Sequence, residues 1–133
     1  MAGRENMQLM EKMELKNFEN PDEVREVPKG RIELVKIGDA TIGRATLQPG
    51  WKWSESIKPM VKTESCESSH LNYQISGVLH VRMEDGTEFD CHPGDVYFLP
   101  AGHDAWVIGN EPVVVVDFQG MHYYAEQLEN QPQ

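Results

Sequence analysis

The sequence predicts an all-β barrel or sandwich, on three observations. From Arg31 onward, short runs of strand-forming residues recur nine or ten times, with turn signals every six to ten residues. Most of these runs alternate apolar and polar residues, as strands with one buried face do. The most sharply bounded run, Val96-Tyr97-Phe98-Leu99, lies between Pro93-Gly94-Asp95 and Pro100-Ala101-Gly102-His103. Two Pro/Gly turns that close together leave room for one short strand and no helix.

The elements follow in chain order. Residues 1–26 form an arm distinct from the rest, rich in Met, Glu and Lys. Met7, Leu9, Met10 and Met13 recur at spacings of three and four, which suits a short amphipathic helix or a frayed, mobile tail. Asn20-Pro21-Asp22 ends any helix there. A barrel over 27–120 comes next. Ile32, Leu34 and Val35-Lys36-Ile37 read as a strand, Gly38-Asp39 as a turn, and Ala40 to Gln48 as the returning strand. Pro49-Gly50 turns the chain, and Trp51-Lys52-Trp53 opens a third strand. Ser54 to Ser69 is polar and broken by Pro59, either a long loop or a strand pair with a mobile crossing.

His70 to Ser76 and Val78 to Met83 alternate, with a bend at Ser76-Gly77 between them. Glu84-Asp85-Gly86 signals a hairpin, followed by a short strand at Thr87 to Asp90. After the Val96 strand comes Ala105 to Ile108, which places His103 at a strand entrance. Val113 to Phe118 begins with four valines and reads as a strand buried on both faces. A tail over 121–133 closes the chain.

Composition narrows the function. Twelve basic against 22 acidic residues give a net charge of −10. A chain this acidic repels phosphate backbones and anionic membranes, so neither nucleic acid nor a membrane is expected as a partner. The sequence contains no long apolar span and no secretion signal near Met1, which predicts a cytoplasmic protein. Cys66 and Cys91 then read as two reduced thiols. No Gly-x-Ser-x-Gly elbow, phosphate loop or dinucleotide fingerprint is present.

The turns carry a resemblance. Gly94, Pro100 and Gly102 stand at the spacing of the second cupin motif, and Gly77 matches the glycine that ends the first. From about Arg31 to Phe118 the chain resembles a small single-domain cupin. The resemblance implies a double-stranded β-helix, or jelly-roll barrel, with a short N-terminal arm or helix. It also implies a homodimer, which the need to cover exposed edge strands favours independently. The ligand positions of the family depart from its pattern. The Glu position holds His70, the His-x-His positions hold Glu64 and Cys66, and the second-motif His position holds Ala105.

Other ligand types stand in their place. Glu64, Cys66 and His70 share parity, so one unbroken strand would turn them to one side. His103 shares parity with Ala105. His70, His103 and Cys66 are therefore the candidate metal ligands, a soft set suited to a divalent transition metal such as Zn, Fe, Mn or Ni. The alternative for each histidine is an imidazole satisfied by a neighbour at the barrel rim, and for Cys66 a small buried hydrophobe. Trp51, Trp53, Glu64 and Tyr73 are the candidate lining of a pocket for a small organic ligand, against core packing for the aromatics and solvation for Glu64. Trp106, of opposite parity to His103, reads as packed between sheets. A metal-activated water would support isomerisation, decarboxylation or dioxygenation, among which the sequence does not choose. The other readings are a metal-free binding module or sensor, and a structural dimer without turnover.

Overall fold

A computed structural model describes residues 11–61 and 68–122, apart from the side chains of Met60 and His122. Among these residues the chain forms nine strands: β1 Glu23–Val27, β2 Gly30–Ile37, β3 Ala40–Leu47, β4 His70–Ser76, β5 Val78–Met83, β6 Glu88–Cys91, β7 Val96–Leu99, β8 His103–Ile108 and β9 Val113–Asp117. Two helical turns, α1 Trp53–Ser56 and α2 Lys58–Val61, follow β3, and a 3₁₀ turn, Gly120–His122, follows β9. The strands form two antiparallel sheets, one in the order β1-β2-β3-β9-β4-β7 and one in the order β6-β5-β8. Insertion of β9 between β3 and β4 is the crossover that makes this a jelly roll rather than a meander. None of the described helices is long and apolar enough to cross a membrane.

Period-two patterning sets the interior. Ile32 and Leu34 of β2, Ala45 and Leu47 of β3, Leu79 and Val81 of β5, and Val113 and Val115 of β9 form one buried cluster. Leu34, Val81 and Val113 are wholly buried. Gln74 is wholly buried too, and its polar atoms are satisfied: it accepts from the Tyr97 hydroxyl (2.7 Å) and donates to the Gly77 carbonyl (3.0 Å). That chain of bonds ties β4 to β7 and to the bend that leads into β5.

Four sequence expectations change here. The arm does not extend to residue 26, because Glu23–Val27 is a strand paired with β2. Of the helix expected from Met7, Leu9, Met10 and Met13, all but Met13 lies outside the described residues; residues 14–22 lie along β2 and β3. The Glu14 carboxylate accepts from the Gly38 amide, and the Asp22 carboxylate accepts from the Lys36 amide (2.7 Å). The Arg44 guanidinium sits 5.2 Å from the centre of the Phe18 ring while bonding to Glu19 and Glu33. The Trp51–Trp53 segment opens a helical turn rather than a strand. Asp104 contributes to it: its Oδ1 accepts from the Ser54 amide (3.1 Å), a tertiary bond that satisfies a first-turn amide left without an intrahelical partner. β9 is buried on one face only, since Val114 and Val116 are half-buried. Trp106 lies on the outer face of the small sheet, stacked on His80 at 4.6 Å and flanked by Lys52 and Arg82.

Gly77 holds the β4–β5 bend. Its φ of 71° is in the left-handed region, and a Cβ there would lie 2.5 Å from the Pro112 carbonyl oxygen. Gly86, at φ 92°, has nothing within 4 Å. Gly77→Ala is expected to lower stability by more than about 2 kcal/mol, from backbone strain plus a clash. Gly86→Ala carries the strain alone, about 1 kcal/mol. Urea midpoints of the two variants test this, and equal losses would show that the contact with Pro112 is unimportant.

Candidate functional site

Inside the barrel lies a cavity of about 50 Å³. Its walls are mainly apolar, with Ala45, Leu47, Leu79, Leu99, Val115 and Met121 among them. One polar group completes the lining: His70, Asn72, His103 and Asp117. The volume exceeds what a water needs and is about a third of the roughly 150 Å³ apolar cavity that admits benzene.

The polar group is organised around Asp117, which is wholly buried. Its Oδ2 accepts from Nδ1 of His70. Its Oδ1 accepts from the backbone amides of Gly120 (2.9 Å) and Gln119 (3.0 Å), which the chain delivers by turning directly after β9. Burial alone would raise the Asp117 pKa. The hydrogen bond and charge of His70, with the two amides, outweigh it and hold the carboxyl below its ordinary value. Asp117 is therefore a carboxylate that fixes the orientation of the His70 ring. Gly120 lies directly over this bond, where any Cβ would collide with the His70 ring and the Asp117 carboxylate.

His103 is set by the turn before β8. Its Nδ1 donates to the Pro100 carbonyl at 2.7 Å. A carbonyl only accepts, so Nδ1 carries the proton and Nε2 of the neutral ring is an acceptor. The His103 ring meets His70 edge-on, with centroids 5.3 Å apart and planes at 66°. The two imidazoles thus sit side by side on one wall, one held by a carboxylate and one by a carbonyl.

Trp51 and Trp53 also line the cavity and are almost fully buried. The Pro49-Gly50 turn positions the first: the Trp51 amide donates to the Gln48 carbonyl (2.9 Å), and its own carbonyl accepts from the Val107 amide (3.0 Å). Nε1 of both indoles and Oδ1 of Asn72 are buried without a hydrogen-bond partner among the described residues. An unsatisfied buried polar atom costs about 1–3 kcal/mol. Three of them on residues around one cavity mark the place where a polar occupant would be favoured.

The predicted site residues divide accordingly. The fold brings His70, His103, Trp51 and Trp53 to one cavity. Tyr73 does not reach it: adjacent residues of a strand face opposite ways, and Tyr73 stands on the outer face of the large sheet, 43% exposed. Glu64 and Cys66 lie outside the described residues. Asp117 and Asn72 belong to the site without having been singled out. Both could have been found by parity, Asp117 with Val113 and Val115, Asn72 with His70.

Among the described residues no three His, Cys, Asp or Glu side chains are grouped so as to hold a metal ion. Asp117 is committed to His70 and two amides, which leaves two imidazoles where a protein zinc site uses three or four ligands. The described residues alone therefore do not fit a resident metal. Cys91, buried on β6, is no substitute nucleophile, because burial pushes its thiol up to about 12. His80 lies outside the cavity, bonded to Glu88 (2.7 Å) and Asp90 (2.6 Å), and these two carboxylates raise its pKa.

Comparison with solved structures supports the architecture. A protein of unknown function from Rhizobium leguminosarum matches with a TM-score of 0.61 at 20% identity, over 84% of this chain and 100% of that one. Ectoine synthase from P. lautus matches with a TM-score of 0.61 at 13% identity, over 90% and 86%. A cupin-like protein from Thermotoga maritima matches with a TM-score of 0.50 at 11% identity, over 71% and 70%. No family model and no curated protein matches the chain. The barrel has the cupin fold; identities this low speak for the fold alone.

Asp117 makes the site's acid response predictable. Its folded pKa lies below the ordinary value of an aspartate in an unfolded chain. Its contribution to stability is therefore fully present above that unfolded value and lost as pH falls through the folded one. Asp117→Asn is expected to destabilise the protein by about 3 kcal/mol at neutral pH. The gap between wild type and variant should shrink on acidification below the unfolded value. Urea unfolding across that pH range checks it, and a gap that stays constant would show that Asp117 is not held ionised by His70.

Proposed function

Starting from a small cupin-fold barrel, we propose that its cavity binds a small organic molecule with an apolar body and one hydrogen-bonding head. One observation carries this reading: His70, oriented by Asp117, and His103 meet on one wall of an otherwise apolar cavity, beside three buried polar atoms that have no partner among the described residues. Apolar walls with a few convergent polar groups are the usual make-up of a ligand pocket. The cavity's size selects a ligand of few heavy atoms. His70 would meet the head as the oriented polar group, and the Nε2 of His103 would accept a proton from it. The chemistry available to such a pair is proton transfer to or from the bound head. The fold itself does not select an activity.

A second reading adds a divalent transition metal, and one observation favours it. In both rings Nδ1 is bonded to an oxygen acceptor, which makes Nε2 the coordinating atom and matches the outer hydrogen bonds that metal-ligating histidines make. This reading needs a third ligand, for which Cys66 is the sequence's candidate. The metal would supply Lewis-acid chemistry; His70 and His103 would hold it.

Two measurements test these readings. Acetate and ethanol, titrated into nitrogen-15-labelled protein, are expected to shift the indole N–H signals of Trp51 and Trp53. The signal of Trp106, on the outer face, should stay in place. His70→Ala should weaken binding about tenfold or more, the loss of one hydrogen bond to an oriented ring. Shifts in all three indoles alike, or in none at saturation, would reject the cavity as the binding site. Elemental analysis of protein purified without chelator decides the second reading. Stoichiometric metal that is lost in His70→Ala and in His103→Ala supports it, whereas metal retained in both variants, or absent after loading with Zn²⁺, Fe²⁺, Mn²⁺ or Ni²⁺, overturns it.

A further inference from the structure

The outer face of the small sheet carries a second hollow, which shares no lining residue with the barrel cavity. It is a cleft of about 440 Å³. Lys52, Ser54 and Lys58 line it from the segment around α1 and α2, Arg82 and Glu84 from the end of β5, and Asp104 from β8. The volume lies in the range of small-molecule sites. Three cations against two carboxylates give this lining a positive surplus, in a chain whose net charge is −10.

The cations are held without being neutralised. Arg25, Arg31 and Arg44 are each bonded to a carboxylate. Arg82 is the one arginine among the described residues that is bonded to none, although Asp104 and Glu88 stand opposite it on its two neighbouring strands. Both acids are engaged elsewhere. Oδ1 of Asp104 accepts from the amides of Ser54 (3.1 Å) and Ala105 (2.9 Å), and Glu88, like Asp90, is bonded to His80. The Arg82 guanidinium lies instead 5.4 Å from the centre of the Trp106 ring, and the Lys52 ammonium lies 4.8 Å from the same centre. One indole thus gathers two positive groups at the cleft, each attracted to the ring. Their mutual repulsion is relieved by an anion placed between them.

We propose that this cleft is a second binding site, for a small phosphate ester whose phosphoryl oxygens are held by Arg82 and Lys52. The donor types select the ligand. A guanidinium presents a fork of N–H groups that meets two oxygens at once, and an ammonium adds a point charge. A phosphate monoester carries close to two negative charges and three acceptor oxygens, enough to engage both side chains together. A carboxylate carries one charge and is satisfied by Arg82 alone. The cleft is also larger than a bare phosphate, which leaves room for the organic part of the ester.

The site backs onto the wall of the cavity. Trp51 and Trp53 line the cavity, whereas Lys52 and Ser54, which alternate with them, line the cleft. On β8, His103 and Ala105 line the cavity and Asp104 lines the cleft. An anion on Lys52 and Arg82 therefore rests on the elements that carry both indoles and His103. The cleft is assigned on its own residues, whatever the cavity binds.

Inorganic phosphate and glycerol phosphate, titrated into the nitrogen-15-labelled full chain at an ionic strength held constant with sodium chloride, test the site. The Trp106 indole N–H and Arg82 side-chain N–H signals are expected to shift and saturate with both, while acetate leaves them in place. Arg82→Gln and Lys52→Gln should each weaken binding about tenfold or more, with wild-type circular dichroism. Lys36→Gln, which removes an exposed cation of the large sheet, should leave it unchanged. Should one of the two cleft variants fail to fold, the other and Lys58→Gln carry the same test. Signals that stay in place at tens of millimolar phosphate overturn the proposal. So does a shift that sodium chloride reproduces, or one that survives in both glutamine variants. Glycerol phosphate excluded from a cleft that takes the bare ion overturns the assignment to an ester.

Discussion

The centre of this barrel depends on the pairing of β4 with β9. The pairing sets Asn72 opposite Asp117 and Gln74 opposite Val115, then slips between Gln74 and Ser76. Every inward side chain on these strands has a consequence. His70, Asn72 and Asp117 make the polar wall of the cavity. Gln74 ties the sheet to Tyr97 and the Gly77 bend. The outward ones of β4, Leu71, Tyr73 and Ile75, are exposed among the described residues. A shift of one residue would exchange the two sets, burying Leu71 and Tyr73 and turning His70 to solvent.

The cavity's polar end illustrates how backbone geometry and side-chain chemistry combine. A buried carboxylate is unfavourable unless several donors face it. The chain supplies them locally, by turning at Gln119 and Gly120 so that two amides reach Oδ1 while Oδ2 is left for His70. The same turn carries Met121 into the cavity wall. Arg25 of β1 holds the turn from the far side by donating to the Met121 carbonyl at 3.1 Å. The first strand, the last strand and the histidine are thereby coupled through a few residues.

The legibility of this protein in its sequence is uneven in a physically regular way. Turns were legible, because Gly77, Gly94 and Gly102 occupy backbone conformations that other residues adopt only with strain. Strands with one wet face were legible from alternation. The helical turn at Trp53 was not, because its first-turn amide is met by Asp104, 50 residues further along the chain. Trp106 was misplaced because parity says that two residues face opposite ways without saying which side is the core. Tyr73 was assigned to the pocket on residue type, whereas its neighbours His70 and Asn72 show by parity that it must face out.

By itself the sequence determined an antiparallel barrel of short strands, its turn positions and its charge, since these follow from local backbone preference, period-two burial and composition. It also brought His70 and His103 forward, as imidazoles at strand entrances. Only the tertiary structure decided that Asp117 grips His70 and that the two histidines share a wall with Trp51 and Trp53. Those outcomes are set by strand order and register across long stretches of chain, and no local spacing encodes which strand lies beside which.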